Sequence, residues 1–202
     1  MKKVTLFILL SIAFAGYVTA QVKTGDFIRV SFGDEQKIYT AEISSVTGTS
    51  FSCRFLHTQS TYVFKNLREG ETIYDFTAVV ESTKGGGYQK GTNALFYIYR
   101  PDYKKEVTSG NYNDYLEKNK HSNGQANIIA KFPDGLKYMA NIKKSITADN
   151  TIVSVFFTHT SSVYTINIAD GKVVESGGAY KKGTKVQFFE CQRIAHDGVT
   201  VE

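Results

Sequence analysis

Five blocks of residues in this chain are written twice, in the same order. Ile28-x-x-x-Phe32-x-Asp34 returns as Ile128-x-x-x-Phe132-x-Asp134, and Tyr39-x-Ala41-x-Ile43 as Tyr138-x-Ala140-x-Ile142. Phe55-x-His57-Thr58-x-Ser60-x-Tyr62 returns as Phe157-x-His159-Thr160-x-Ser162-x-Tyr164. Val79-Val80-Glu81-Ser82 returns as Val173-Val174-Glu175-Ser176, and Tyr88-x-Lys90-Gly91-Thr92 as Tyr180-x-Lys182-Gly183-Thr184. The offsets drift between 92 and 102, as small insertions in turns would make them. That period is far longer than the repeat of a solenoid, so the pattern points to duplication of a whole domain.

Each copy reads as β-structure. Side chains along a strand alternate between its two faces. Ile28, Val30 and Phe32 therefore share one side, as do Tyr39, Ala41 and Ile43, and then Phe51, Cys53 and Phe55. Gly33-Asp34 and Thr47-Gly48 supply the turns between them. A short strand through Tyr62–Phe64, another over Thr72–Val80 and an apolar one over Ala94–Tyr99, stopped by Pro101, complete the first copy. Two prolines against a wealth of Val, Ile, Thr, Tyr and Phe fit an all-β chain.

The expected organisation is a signal peptide over 1–20, a first small barrel over 21–100, a polar linker over 101–123 and a second small barrel over 124–202. Closed barrels remove exposed strand edges; a single sandwich built from all the strands is the alternative. In the linker, Asn113 is placed to cap a short helix running through Lys118.

The first twenty residues carry Lys2-Lys3, an apolar Val4–Ala15 and small residues at Val18-Thr19-Ala20, the pattern of a cleaved secretory signal. No later segment is apolar enough to span a bilayer, so no transmembrane segment is expected after cleavage. Gln21 as first mature residue resembles exported bacterial proteins, and the location expected is secreted or periplasmic. The whole chain carries a net charge of +5. Loss of Lys2 and Lys3 leaves 22 basic against 19 acidic residues, a net charge of +3. The basic residues are scattered, which argues against a nucleic-acid partner. Cys53 and Cys191 are the only cysteines; Cys53 alternates with Phe51 and Phe55 and so faces the core, and a disulfide between the two stays open.

Gly25-Asp26-x-Ile28-x-Val30-x-Phe32, with Asp34, Tyr39-x-Ala41-x-Ile43 and Phe51-x-Cys53-x-Phe55, resembles the Tudor-like or Src-homology-like (SH3-like) small barrel. The resemblance covers about 31 residues of each copy. The second copy lacks the Gly-Asp opening and has Gly124-Gln125 there. It implies two tandem modules of that class. By it, Phe32 and Tyr39 would be two walls of a cation cage, matched by Phe132 and Tyr138. Taken from the residues alone, Phe32 is core and Tyr39 lies on the barrel surface.

The duplicated His-Thr-x-Ser-x-Tyr blocks add His57, Tyr62, His159 and Tyr164 to the candidate ligand-binding residues. A histidine near hydroxyls is also what a nucleophile and its base require. Duplication of the whole block favours a turn whose hydroxyls bond the backbone. No catalytic residue, cofactor or metal is assigned. His121 and His196 are the remaining histidines, and a metal held by His57 and His159 between modules is a third option. Gly85-Gly86-Gly87 lacks the strand–glycine–helix context of a phosphate loop and fits a hairpin. The expected function is a non-enzymatic binding or scaffolding role in the cell envelope, with an envelope protein or a cell-wall glycan as partner. The alternative is a secreted hydrolase using a loop histidine in an interdomain site.

Overall fold

A computed structural model describes residues 22–33, 37–69, 75–121, 125–143, 147 and 151–194. Residues 1–20, expected as a signal peptide, Asp34 and Glu35, expected in a turn, Thr72 at the expected start of a strand, and His196 lie outside them. Among the described residues the secondary structure is strand apart from one helix. None of the described helical structure is long and apolar enough to cross a membrane. The chain divides into two compact units, the first reaching Ile98 and taking in Ile194 as well, and the second running from Tyr99 to Arg193.

The first unit contains β1 (Phe27–Phe32), β2 (Tyr39–Thr47), β3 (Ser50–Phe55), β4 (Thr61–Glu69), β5 (Phe76–Lys84) and the beginning of β6 (Asn93–Glu106). Consecutive strands pair antiparallel, and β6 also pairs with β1, which closes a six-stranded barrel. Alternation places the side chains as expected: Phe51, Cys53 and Phe55 are buried, while Arg54 is exposed. Phe32, Phe64 and Phe96 join them in the core, and β2 adds Ala41 and Ile43.

In two places the sequence expectation is corrected. Pro101 does not end its strand, because β6 continues to Glu106. Proline lacks an N–H and is tolerated where the ladder does not need one; pairing of β6 with β5 has already ended at Phe96. The helix α1 runs Tyr112–Asn119, with Asn111 at its N-cap position, and so starts two residues earlier than an Asn113 cap would give. Asn111 holds its entrance differently, accepting from Thr108 N–H at 2.7 Å and donating to the Glu106 carbonyl at 3.0 Å. The segment expected as linker thus contains ordered strand and helix. Tyr112, Tyr115 and Leu116 stand three and four residues apart, share one helix face and are buried in the second unit's core.

The second unit adds β7 (Ala126–Lys131), β8 (Lys137–Ile142), β9 (Ile152–Phe157), β10 (Ser162–Asn167), β11 (Lys172–Glu175) and β12 (Gln187–Ile194). The order is β12-β7-β8-β9-β10-β11. A single bridge, Lys172 to Lys185, joins β11 to the segment preceding β12.

Corresponding pairings recur in the two units. Ile28 faces Ala41 as Ile128 faces Ala140, and Cys53 faces Tyr62 as Val155 faces Tyr164. Phe64 faces Val80 just past a register shift, as Ile166 faces Val173 past another. Val80 donates to Thr92 O and accepts from Gly91 N–H; Val173 does the same with Thr184 and Gly183. The structural counterpart of Val173 is therefore Val80, one residue later than the sequence match with Val79. Burial explains the slip: Val80 and Val173 are both buried, whereas Val174 is exposed.

The Tyr112 hydroxyl is buried without a hydrogen-bond partner, and burial pushes its ionisation well above the ordinary tyrosine range. Replacing a buried orphan by an apolar group of the same shape is neutral or stabilising. Tyr112→Phe is expected to raise stability, by about 1 kcal/mol on that argument. Urea denaturation checks it, and a loss of more than about 1 kcal/mol would show that the hydroxyl has a partner.

Candidate functional site

Each unit carries one cleft at the end where β1 (or β7) turns into the next strand, and the two clefts are lined by the same kinds of residue. In the first, Phe32 ends β1, Tyr39 begins β2, Phe55 ends β3 and Tyr62 lies on β4. His57, Thr58 and Ser60 come from the β3–β4 turn, and Gly85-Gly86-Gly87-Tyr88 from the segment after β5. In the second, Phe132, Tyr138, Phe157, His159, Thr160, Ser162, Tyr164 and Gly177–Tyr180 occupy the matching places. The cavities measure about 500 and 280 Å³. All eight residues singled out from sequence line them: Phe32, Tyr39, His57 and Tyr62 in one, Phe132, Tyr138, His159 and Tyr164 in the other.

The clefts are built by ring stacking. Phe32 stacks on Tyr88 at 3.9 Å, and Phe132 on Tyr180 at 3.6 Å. Each phenylalanine is buried, so it forms the floor while the half-buried tyrosine forms a wall. The imidazoles stack on the opposite wall, His57 on Tyr39 at 5.9 Å and His159 on Tyr138 at 4.7 Å. Hydroxyls tie the walls together. Tyr39 and Tyr88 are hydrogen-bonded through their hydroxyls at 2.8 Å. In the second cleft Tyr180 donates to Asp134 Oδ2 at 2.8 Å and lies 3.3 Å from the Tyr138 hydroxyl. Desolvation, then the bonds to Tyr138 and Asp134, push Tyr180 above the ordinary tyrosine range.

The glycine-rich segment reaches the cleft because it has no side chains. The Tyr88 N–H donates to the Tyr62 hydroxyl at 3.2 Å, and Tyr180 N–H to the Tyr164 hydroxyl at 3.2 Å. A Cβ at Gly86 would stand 2.1 Å from the Tyr62 hydroxyl, and one at Gly178 would stand 2.5 Å from the Tyr164 hydroxyl.

The His-Thr-x-Ser blocks are hairpin turns. Phe55 N–H donates to the Ser60 carbonyl at 2.9 Å, and Gln59 takes a left-handed backbone, as does Ser161. Thr58 and Ser60 are joined hydroxyl to hydroxyl at 2.6 Å, and Thr160 and Ser162 are joined likewise. Among the described residues no three His, Cys, Asp or Glu side chains gather as a metal site would need. Neither cysteine forms a disulfide; both are buried thiols.

The clefts differ in charge. Lys37 lines the first and holds its ammonium 5.1 Å from the Tyr39 ring centre. Lys137 directs its own over Tyr103, and among the described residues no lysine or arginine lines the second cleft. Desolvation, and then the charge of Lys37, lower the His57 pKa below 6.5. The folded state therefore favours neutral His57. Stability linked to it is present above pH 6.5 and is lost as pH falls through the lower, folded pKa. Acidification from pH 7.5 to 5 is expected to destabilise the wild type more than His57→Gln, measured by urea midpoints at each pH. Parallel curves would mean that His57 is solvated as in the unfolded chain.

Sequence reasoning missed four aromatic cleft contributors, Tyr88, Tyr180, Phe55 and Phe157, and also Lys37. Their signal was present, since all four stand in duplicated blocks. The Tyr-x-Lys-Gly-Thr block marks the repetition, and its tyrosine is also a wall of the cleft. The chain is thus an all-β protein containing a closed six-stranded barrel, with an aromatic cleft in each of its two units. Compared with protein-family models, with curated proteins and with solved structures, the chain matches none.

Proposed function

We propose that this is an exported, non-enzymatic binding or scaffolding protein of the bacterial cell envelope. It consists of two tandem Tudor-like or SH3-like barrels and engages a protein or glycan through the cleft on each. The observation that carries the reading is the pair of clefts built from one residue set, with Phe32, Tyr39, His57, Tyr62 and Tyr88 answered by Phe132, Tyr138, His159, Tyr164 and Tyr180. Duplicated side chains that form only a core would not need duplicated half-exposed tyrosines. Aromatic rings with polar tips provide large contact area at low entropy cost, which suits recognition. The hydroxyls of Thr58, Tyr39 and Tyr88, and their counterparts, supply directional bonds to the sugar or peptide groups of a ligand. The Ser60 and Ser162 hydroxyls are turned to their threonine neighbours, which favours a turn over a nucleophile.

Tyr39→Ala and Tyr138→Ala are each expected to weaken retention on the protein's ligand by about tenfold, equivalent to 1.4 kcal/mol. The test is capture of the mature protein's partner from envelope extract, with purified peptidoglycan as a parallel bait. A stoichiometric protein partner favours scaffolding, and retention on peptidoglycan alone favours wall binding. Turnover of ester or glycan substrates with neither form of capture would replace the binding reading by the hydrolase.

A further inference from the structure

The two clefts differ at one position on the lip. Tyr39 and Tyr138 correspond, so Lys37 stands where the second copy has Leu136, and Ile38 where it has Lys137. Lysine and aliphatic residue have exchanged places. Along extended backbone, residues two apart share a face and neighbours do not. Lys37, two before its tyrosine, accordingly lines the first cleft. Lys137, next to its tyrosine, holds its ammonium over Tyr103 and lines neither cleft.

Lys37 brings an unneutralised charge. Among the described residues no carboxylate pairs with it, and its ammonium is held 5.1 Å from the Tyr39 ring centre. The ring attracts the cation without cancelling its charge. An anionic group entering this cleft can accept a charge-assisted hydrogen bond from it, roughly twice as strong as a neutral one. The rest of the lining describes the body that carries the anion. Every strand of the first barrel has a neighbour on both sides, so no strand edge is open for a peptide backbone to join. The cleft presents instead the half-buried rings of Tyr39 and Tyr88 and the hydroxyl of Thr58. A pyranose matches that lining, with its C–H face on a ring and its hydroxyls bonded to hydroxyls.

We infer that the first cleft selects a sugar bearing a carboxylate, with Lys37 as the residue that sets this specificity, and that the second cleft lacks the preference. The inference rests on the binding role proposed for the clefts and names the ligand of one of them. Charge complementarity of this kind sorts partners more than it adds raw affinity. The duplicated rings and hydroxyls then serve what the two ligands have in common, and the exchange of Lys37 for Leu136 serves what separates them. Lys37 is exposed, so its replacement leaves the core untouched.

The test follows backbone amide shifts of the nitrogen-15-labelled mature chain during titration with paired sugars. The pairs are glucuronate with glucose, galacturonate with galactose, and N-acetylmuramate with N-acetylglucosamine; in each, only the first member carries a carboxylate. For at least one pair the acid is expected to shift the amides of residues 57–60 and 85–88 with a Kd at least about tenfold below that of its neutral partner. Lys37→Met is expected to abolish that preference and to leave binding of the neutral sugar unchanged. Lys65→Met, which removes the same charge from β4 outside the cleft, is expected to preserve it. The amides of residues 159–162 and 177–180 are expected to show no preference for the acid. Equal Kd values within every pair, a preference that survives Lys37→Met, an equal preference in the second cleft, or no shift with any of the three acids would overturn the inference. Capture from envelope extract separates its failure from that of the binding reading. A partner retained by the wild type and lost by Tyr39→Ala/Tyr138→Ala, with no shift by a sugar acid, overturns the sugar acid alone; loss of both readouts overturns both.

Discussion

Phe132→Ala is expected to cost the second unit about 3–5 kcal/mol, the range for removing a buried phenylalanine. Phe132 is 2% exposed and serves two structures at once. It packs edge-on to Tyr138 and tilted to Phe157, each at 5.9 Å, as part of the core. Its face carries Tyr180 at 3.6 Å, as the floor of the cleft. Alanine leaves a cavity and also removes the surface that positions Tyr180. A domain's total stability is only about 5–15 kcal/mol, so the loss is a large fraction of it. Urea denaturation measures it, with hydrogen exchange to localise the damage to β7–β12. Phe32→Ala is expected to behave alike in the first unit, where Phe32 touches Tyr39, Phe55, Tyr62, Phe64 and Tyr88. A cost below about 1 kcal/mol for either would remove that residue from the core.

Gly177→Ala is expected to cost about 1–3 kcal/mol, as overpacking does, and to pull the glycine-rich segment off β10. A Cβ at this position would lie 1.9 Å from the Val163 carbonyl oxygen. That atom is backbone. It cannot swing aside without disturbing Val163, which is paired with Phe156 on β9. The displaced segment carries Tyr180, whose N–H is bonded to the Tyr164 hydroxyl, so the cleft is expected to open as well. Gly87→Ala is the control. A Cβ there meets nothing within 4 Å, and its effect should stay within about 0.5 kcal/mol. Equal effects of the two substitutions would mean that the segment moves aside at no cost and that the collision at Gly177 is not felt.

Much of this was readable in the sequence, for reasons that differ residue by residue. Alternation showed the core faces of β1, β2 and β3, because a period of two is fixed by the strand itself. Repetition picked out Phe32, Tyr39, His57, Tyr62 and their counterparts before any geometry was known. It did not reveal Tyr88 over Phe32, since stacking joins residues far apart in the chain and is invisible to local pattern. The slip between Val79 and Val80 arose in the same way: a register shift moves pairing by one residue without altering the sequence around it. The segment 101–123 reads as polar because two of the helix's three buried residues are tyrosines, whose polar hydroxyls disguise them as surface. The Tyr115 hydroxyl explains the disguise, as it bonds the Asn127 carbonyl inside the unit.

The central claim is that the two matched clefts are where the protein binds. Its most direct measurement compares the mature wild type with the double variant Tyr39→Ala/Tyr138→Ala, captured in parallel on envelope extract and on purified peptidoglycan. The wild type is expected to retain a partner on one of the two baits, and the double variant, still folded by circular dichroism, to lose it. Undiminished retention by the double variant would contradict the claim and move the binding surface elsewhere on the chain.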